Sequence, residues 1–451
     1  MRKLALGTAL TACIAMAAGT VPVVSAQEST APSVVTPVED TTQESEAGTQ
    51  PAPQEEANSG SELSDGSLSS EDKPKTQPDG ATDPEAATGD ATVDSTPLAD
   101  RMRAAAATAQ PSVLTANPAA PLVHEFNDEK WRDKIKSYSR STDSQGRPRV
   151  MEFSATSPSM NNRSIPLAVI RAKDPNRPIL YLLNGAGGGE QSTTWLSYNE
   201  TIDFYLDKNI NVVIPMRGAF SYYVDWAEDV DGTEYIRGPQ RWETFLTQEL
   251  PKPLESHELI QANDKRGIAG LSMSATSSLL LAARNPGFYD AVGSFSGCAA
   301  TSKTLPSLFT KFTLDRDGIS PQQVFGPKGS QRAIEHDALI QAEGLRGSQI
   351  YVSNGSGLIS DRETLNGLIK NQAEEASLAA FTTSSDIAVV GGLIEAGTNA
   401  CTHDLRVKLN RLDIPADFKF RNVGVHTWYY WVNDMKDSWP TFARGFGIEG
   451  E

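Results

Sequence analysis

Ser272 stands in Gly270-Leu271-Ser272-Met273-Ser274, between an apolar run and a stretch rich in small residues. That is the shape of a nucleophile elbow, which presents a serine hydroxyl at a sharp strand-to-helix turn. The usual pattern is G-x-S-x-G, and Ser274 replaces its last glycine. A serine hydroxyl is almost wholly protonated at neutral pH and needs a base, and histidine titrates near the working pH. Beyond the N-terminal region the chain offers His124, His257, His336, His403 and His426. Triads built on such an elbow run serine, acid, histidine along the chain. The order favours His426, in Gly424-Val425-His426-Thr427-Trp428, over its competitor His403. The acid is expected in the loop after strand 349–353, where Asp361 is preferred to Glu363 as the group that orients the imidazole. Oxyanion stabilisation needs two backbone N–H donors. Met273 supplies one, and Ala186 or a neighbour within 185–187 supplies the other. Tyr222, Tyr223, Trp226 and Trp428 are candidates to line a sugar or acyl site.

The elements that must hold these residues read as an α/β fold. Residues 149–154 and 164–171 form an antiparallel hairpin about a polar turn. Residues 178–183 are a continuous apolar run, as expected of a strand covered on both faces. It ends in Asn184-Gly185-Ala186-Gly187-Gly188-Gly189, where backbone N–H groups can approach a ligand closely. The spacing is not G-x-G-x-x-G, which argues against a dinucleotide fold. An oxyanion loop fits better. Further strands are expected at 209–215, before the elbow, at 291–296 and at 349–353, with edge strands at 387–393 or 418–423. Residues 241–250 have helical spacing. Strands alternating with helices imply a mainly parallel central sheet with helices on both faces, an α/β-hydrolase fold. The strand-free stretch 299–347 is expected to form a helical cap.

Composition divides the 451 residues into three parts. A basic start, an apolar run and the small residues Val24-Ser25-Ala26 make 1–26 a secretory signal peptide. Residues 27–117 carry 17 acidic against 4 basic side chains and no aromatic residue, so much of the net charge of −17 lies there. Such a segment buries too little apolar surface to offset chain entropy and is expected to be disordered. Residues 118–451 hold all seven tryptophans and form the catalytic domain. No basic stripe with interleaved aromatics points to nucleic acid. Neither metal-ligand spacing nor a cofactor motif is present. Cys13 leaves with the signal peptide, and an exported chain with only Cys298 and Cys401 left favours a disulfide between them.

Taken together, the chain resembles the antigen 85 group of secreted mycolyltransferases. The resemblance rests on Ser157-Pro158-Ser159-Met160, Tyr181-Leu182-Leu183-Asn184-Gly185 and Asp225-Trp226. It continues through Trp242-Glu243-Thr244-Phe245-Leu246-Thr247, Glu249-Leu250-Pro251, the elbow and Phe325-Gly326-Pro327, and ends at His426-Thr427-Trp428 with Tyr430-Trp431. It implies an α/β hydrolase that passes a mycolyl group from trehalose monomycolate, through a serine acyl-enzyme, to trehalose or wall arabinogalactan. By position Ser272 is the nucleophile, His426 the base, and Ala186 and Met273 the oxyanion donors. The partners implied are trehalose mycolates and cell-wall sugars, outside the cell or in its envelope. The family's sugar-binding aspartate and arginine correspond to Asn184 and Gly187, and Asn184 and Trp428 are the expected substrate-binding residues. The family's cysteine pair is missing, which leaves Cys298 and Cys401 as an alternative bridge. A secreted carboxylesterase and a non-catalytic carbohydrate-binding relative are the competing readings.

Overall fold

A computed structural model describes residues 97–116, 130–230, 232–364, 366–367 and 387–450, all within one compact unit. The expected signal peptide 1–26, residues 27–96, the domain start at 118 and His124 lie outside the described residues. The expected disordered segment is too long at its C-terminal end. Leu98–Thr108 is a helix, α1, and Val113–Ala116 is a strand, β1. Averaged composition hid both. The alanine-rich run after Arg103 has high helix propensity, and β1 extends the sheet by pairing antiparallel with the next strand.

Nine strands form one sheet in the order β1-β2-β3-β5-β4-β6-β7-β8-β9. β2 (Val150–Ser157) and β3 (Arg163–Ile170) make the expected hairpin, joined through Asn161 and Asn162 in the left-handed conformation that asparagine tolerates. β3 pairs antiparallel with β5 (Asn211–Pro215). From β5 onward, through β4 (Arg177–Leu183), β6 (Ala262–Leu271), β7 (Ala291–Phe295), β8 (Gln349–Asn354) and β9 (Asp417–Phe420), every pairing is parallel. Of the two expected edge strands, 418–423 contributes β9. Residues 387–393 instead begin a helix, a π-turn Ile387–Gly391 running into α6, Gly392–Arg411. That correction matters for the site.

β4 shows why its sequence is apolar throughout. Ile179, Tyr181 and Leu183 enter one core cluster, and Leu180 and Leu182 enter the other, on the opposite face. Burying each of these aliphatic side chains is worth roughly 1.5–3 kcal/mol. The first face is covered by α4 (Met273–Arg284), through Leu279, Leu280 and Leu281. The second is covered by α7 (Trp428–Asp437) and α8 (Trp439–Phe446), through Trp431, Phe442 and Phe446. On the same second side lie α2 (Lys130–Ser137), with Trp131 buried, and α3 (Asn199–Lys208), with Ile202 and Tyr205 buried.

The stretch 299–347 is helical and strand-free, with α5 (Thr304–Leu314) followed by shorter helices at Pro321–Phe325 and Gln331–Glu335. Leu314, Ile319, Val324 and Phe325 join the first core cluster. Phe309 of α5 presses on α6 so closely that a Cβ on Gly397 would lie 2.0 Å from its ring. The chain turns at the carboxyl ends of β4, β6, β7 and β8 therefore lie along one edge of the parallel sheet, where α/β folds bind ligands.

Candidate active site

Ser272 follows β6 directly, with φ 55° and ψ −119°, before α4 begins at Met273. A non-glycine residue at positive φ is uncommon and costs of order 1–3 kcal/mol. Its N–H donates to Phe295 O at 2.9 Å, which holds the turn against β7. The elbow needs small neighbours. A Cβ on Gly270 would lie 2.3 Å from Ser274 O. Ser274, in place of the final glycine, is fully buried, and its Oγ accepts the Leu271 N–H at 3.0 Å. It donates in turn toward Leu183 O at 3.1 Å, so the substitution ties the elbow to the end of β4.

The turn after β9 delivers His426, whose N–H donates to Gly391 O at 3.2 Å. His426 Nε2 lies 2.7 Å from Ser272 Oγ, and His426 Nδ1 lies 2.9 Å from Glu395 Oε2. Glu395 is fully buried on the first turn of α6. Its Oε1 accepts the Ser296 hydroxyl at 2.8 Å and the Gly355 N–H at 2.5 Å, and Arg421 Nη2 stands 3.8 Å away. Every neighbour of this carboxylate is a donor. That assigns the proton to Nδ1 and leaves the Nε2 lone pair facing the serine. Trp431 meets the imidazole edge-to-face at 4.9 Å. Behind Arg421, Asp434 is fully buried and bonded to the guanidinium. Burial pushes the Asp434 carboxyl up to about 7 against the pull of Arg421.

Asp361, the expected acid, is not at the imidazole. It is exposed, and its carbonyl accepts the Thr364 hydroxyl at 2.6 Å. The loop after β8 turns so that Glu363, not Asp361, points inward, and Glu363 is spent on Ser360 and on the Tyr430 hydroxyl. Glu395 takes the place because 387–411 is helical rather than an edge strand. A signal for it was present in the sequence. Glu395, Thr398, Thr402, Leu405 and Leu409 recur at helical spacing and form the buried face of α6. The same face carries Cys401, disulfide-bonded to Cys298 just past β7. Asn354 at the end of β8 adds a bond from its amide to Thr398 Oγ1 at 2.8 Å. Ser296, Gly355 and Arg421 are further site residues that sequence reasoning missed.

Of the two expected oxyanion donors, Met273 directly follows Ser272, and Ala186 follows Gly185, where a Cβ would lie 2.6 Å from Leu271 Cδ1. Neither the Met273 N–H nor the Ala186 N–H meets a protein acceptor among the described residues. Ala186 is held by its carbonyl, which accepts the Phe220 N–H at 2.8 Å. The glycine loop is tight. Gly188 has φ 59°, and a Cβ there would lie 2.0 Å from Ala219 N. Beside it the Glu190 carboxylate accepts the Gly218 N–H at 3.1 Å, and burial raises its pKa to about 7 against the pull of Arg217.

Asn184 does not face a ligand. It is buried, its amide donates to Pro215 O at 3.1 Å, and its oxygen accepts the Trp195 N–H at 3.1 Å. Its amide braces the glycine loop instead of reading a sugar. Trp428 is half-buried, stacked on Tyr198 at 5.4 Å. Tyr222, Tyr223 and Trp226 are core. His403 stacks on Phe420 at 4.1 Å, His336 is buried beside Arg284, and His257 caps a turn at Leu259. The shared motifs away from the elbow are structural. Asp225 accepts the Thr244 N–H and hydroxyl, and Glu249 accepts the Ser159 N–H at the β2–β3 turn. Among the described residues no helix is long and apolar enough to cross a membrane.

A hydroxyl hydrogen-bonded to an imidazole that is oriented by a buried carboxylate is equipped for nucleophilic attack on an acyl carbonyl. The comparisons with known proteins agree in kind. The family model described as "Putative esterase" matches residues 157–442. The diacylglycerol acyltransferase/mycolyltransferase Ag85A of Mycobacterium leprae is 28% identical over 275 residues, covering 60% of this chain and 76% of its own. That of Mycobacterium gordonae is 31% identical over 265 residues, covering 57% and 69% respectively. Among solved structures, Mycobacterium tuberculosis MPT51 (FbpC1) superposes with a TM-score of 0.49 at 20% identity, over 64% of this chain and 96% of that one.

Proposed function

Since the chain belongs to the putative-esterase family and is antigen 85-like within it, we propose that it is a serine acyltransferase using Ser272, His426 and Glu395. In coarser terms it is an enzyme of the acyltransferase and esterase type. The observation that carries the finer reading is the continuous chain from Glu395 Oε2 through His426 to Ser272 Oγ, at 2.9 and 2.7 Å.

In this reading Ser272 Oγ attacks the acyl carbonyl as its proton passes to His426 Nε2. The Met273 and Ala186 N–H groups receive the negative charge that develops on the carbonyl oxygen. Glu395 stabilises the imidazolium and keeps its orientation. Collapse of the intermediate breaks the ester bond, and the leaving sugar oxygen takes the proton from Nε2. An acceptor hydroxyl then gives its proton to Nε2 and attacks the acyl-enzyme, and Ser272 Oγ departs taking that proton back from Nε2. The donor is trehalose monomycolate and the acceptor is trehalose or a wall sugar, outside the cytoplasm. The resemblance to mycolyltransferases supports this choice.

One observation favours hydrolysis as the second reading. The glycine loop offers no charged side chain to a sugar at position 187, and Asn184 is turned inward. Intact-protein mass spectrometry after exposure to trehalose monomycolate tests the proposal. A mycolyl adduct that disappears in Ser272→Ala, with dimycolate formed, is the expected result. Cleavage of simple esters without any transferred product would replace transferase with esterase. Absence of both adduct and ester cleavage would overturn the role of Ser272.

A further inference from the structure

Glu395 is fully buried, and its carboxylate lies beside an imidazole that must stay unprotonated to act as a base. A carboxylate in that place favours the imidazolium and so works against a free base. Arg421 stands on the other side of the carboxylate. Its Nη2 lies 3.8 Å from Glu395 Oε1, and its Nη1 bonds to Asp434 on α7.

Several elements fix this arginine. Its backbone N–H donates to Asn354 O at 2.9 Å, at the end of β8. Tyr430 sets its ring 5.1 Å from the guanidinium carbon, and the Tyr430 hydroxyl is tied to Glu363 at 3.0 Å. A Cβ on Gly424, in the turn that delivers His426, would lie 3.4 Å from Arg421 Nε. Even so, Arg421 Nε and Nη2 and Asp434 Oδ2 are buried without a hydrogen-bond partner among the described residues. Burying donors and a charge in this way costs stability. What the placement provides is a cation next to Glu395, not another hydrogen bond. The charged groups packed around the pair have partners of their own. Asp417 on β9 pairs with Arg444 on α8, and Lys419 on β9 pairs with Asp437 on α7 at 2.6 Å. Burial keeps the Tyr351 phenol on β8 protonated. Burial also pushes the Asp434 carboxyl up to about 7, so below that pH it offsets little of the Arg421 charge.

We propose that Arg421 is a positioning residue of the active site, whose charge, anchored by Asp434, acts through Glu395 to keep His426 free to take the proton of Ser272. The contacts place the guanidinium within about 10 Å of the imidazole, where at an effective dielectric of about 20 a unit charge moves a titration by about one pH unit. The same charge favours the ionised form of Glu395. Its bearing on catalysis rests on the proposed triad, but the charge coupling itself does not.

NMR titration of the His426 imidazole in the full chain carrying Ser272→Ala reads the coupling without any turnover, with His426→Gln identifying the resonance. In Arg421→Met the midpoint is expected about one pH unit higher, because a cation that disfavoured the imidazolium is gone. Arg421→Lys returns at least half of that shift. Arg421→Met combined with Asp434→Asn leaves no buried carboxylate unpaired and moves the midpoint the same way. Lys419→Met removes an equal charge two residues away and leaves the midpoint in place, since that charge is exposed and screened. With Ser272 intact, the acid limb of acylation by p-nitrophenyl butyrate rises with the midpoint in Arg421→Met. A merely structural arginine would lower the rate at every pH without moving that limb. An unmoved midpoint in Arg421→Met and in the double variant, with melting temperatures preserved, would overturn the proposal. So would an equal shift in Lys419→Met, which would reduce the effect to net charge. A moved midpoint in a chain that gives no acylation burst would remove the triad and leave the coupling standing, so either reading can fail alone.

Discussion

Glu395→Gln is the sharpest perturbation of the site. The carboxylate accepts from three donors, His426 Nδ1, the Ser296 hydroxyl and the Gly355 N–H. An amide has one acceptor oxygen. If that oxygen stays on Ser296 and Gly355, the amide NH₂ faces His426 Nδ1 and favours the tautomer with its proton on Nε2. Nε2 then points a hydrogen at Ser272 Oγ instead of a lone pair. The charge is lost as well. At a separation near 4 Å and an effective dielectric of about 20, a carboxylate stabilises an imidazolium by ~4 kcal/mol, close to 10³ in rate. With the tautomer inverted, a loss of about 10³–10⁴ in acylation is expected. Stopped-flow release of p-nitrophenolate from p-nitrophenyl butyrate measures it directly. Asp361→Asn should acylate within about twofold of the unmutated chain, since Asp361 is exposed. Acylation by Glu395→Gln within tenfold of normal, with the melting temperature preserved, would refute the assignment. A large loss in Asp361→Asn would do so independently.

Three further perturbations test the supports of the site. Gly188→Ala places a Cβ 2.0 Å from Ala219 N at φ 59°. It should cost about 1–3 kcal/mol in urea unfolding and slow acylation at least tenfold by displacing Ala186; full activity would show that the glycine loop is not a donor. Cys401→Ser opens a loop of sequence separation 103, which chain entropy values at about 4–5 kcal/mol. Urea midpoints should fall and activity with them, because α6 carries both Cys401 and Glu395; coincident midpoints with and without reductant would contradict this. Glu190 has its carboxyl raised by burial from 4.5 to about 7, so the folded chain retains a proton that the unfolded chain has released. Its contribution to stability is fully present below the lower value and is lost as pH rises through the upper one. The melting temperature of the unmutated chain should therefore fall more steeply across that window than that of Glu190→Gln, and parallel slopes would count against the burial argument.

The parts of this molecule legible in the sequence were those set by local pattern. A continuous apolar run at 178–183 can satisfy both faces of a sheet, and it does, with alternate residues in the two clusters. Ser272 was legible because an elbow needs small residues at fixed offsets, and Gly270 has no room for a Cβ. The acid was not, because its position depends on how one segment packs. Residues 387–393 are β-branched enough to read as a strand. Their helical state is decided by the face that continues through Thr398, Thr402 and Leu405, a pattern visible only over a longer window. Asn184 failed for the complementary reason. Its place in the chain matches a sugar contact, but its amide is consumed by Pro215 and Trp195. The structured residues 98–116 were lost in an average dominated by the acidic segment before them.

The position of Glu395 also follows from what a buried carboxylate requires. An ionised acid out of water is costly unless donors surround it. The donors come from the carboxyl ends of consecutive strands. Ser296 follows β7 and Gly355 follows β8, while Arg421, which follows β9, adds its charge 3.8 Å away without a hydrogen bond. The loop once expected to supply the acid thus supplies a donor to it. A Cβ on Gly355 would lie 2.4 Å from Gly424 O, in the turn that delivers His426. The same small residue therefore sets the distance between acid and base. Ser272 at the end of β6 completes the edge, so four adjacent parallel strands each contribute one terminus to the site. Their register across the sheet brings these termini together around the 2.7 and 2.9 Å contacts.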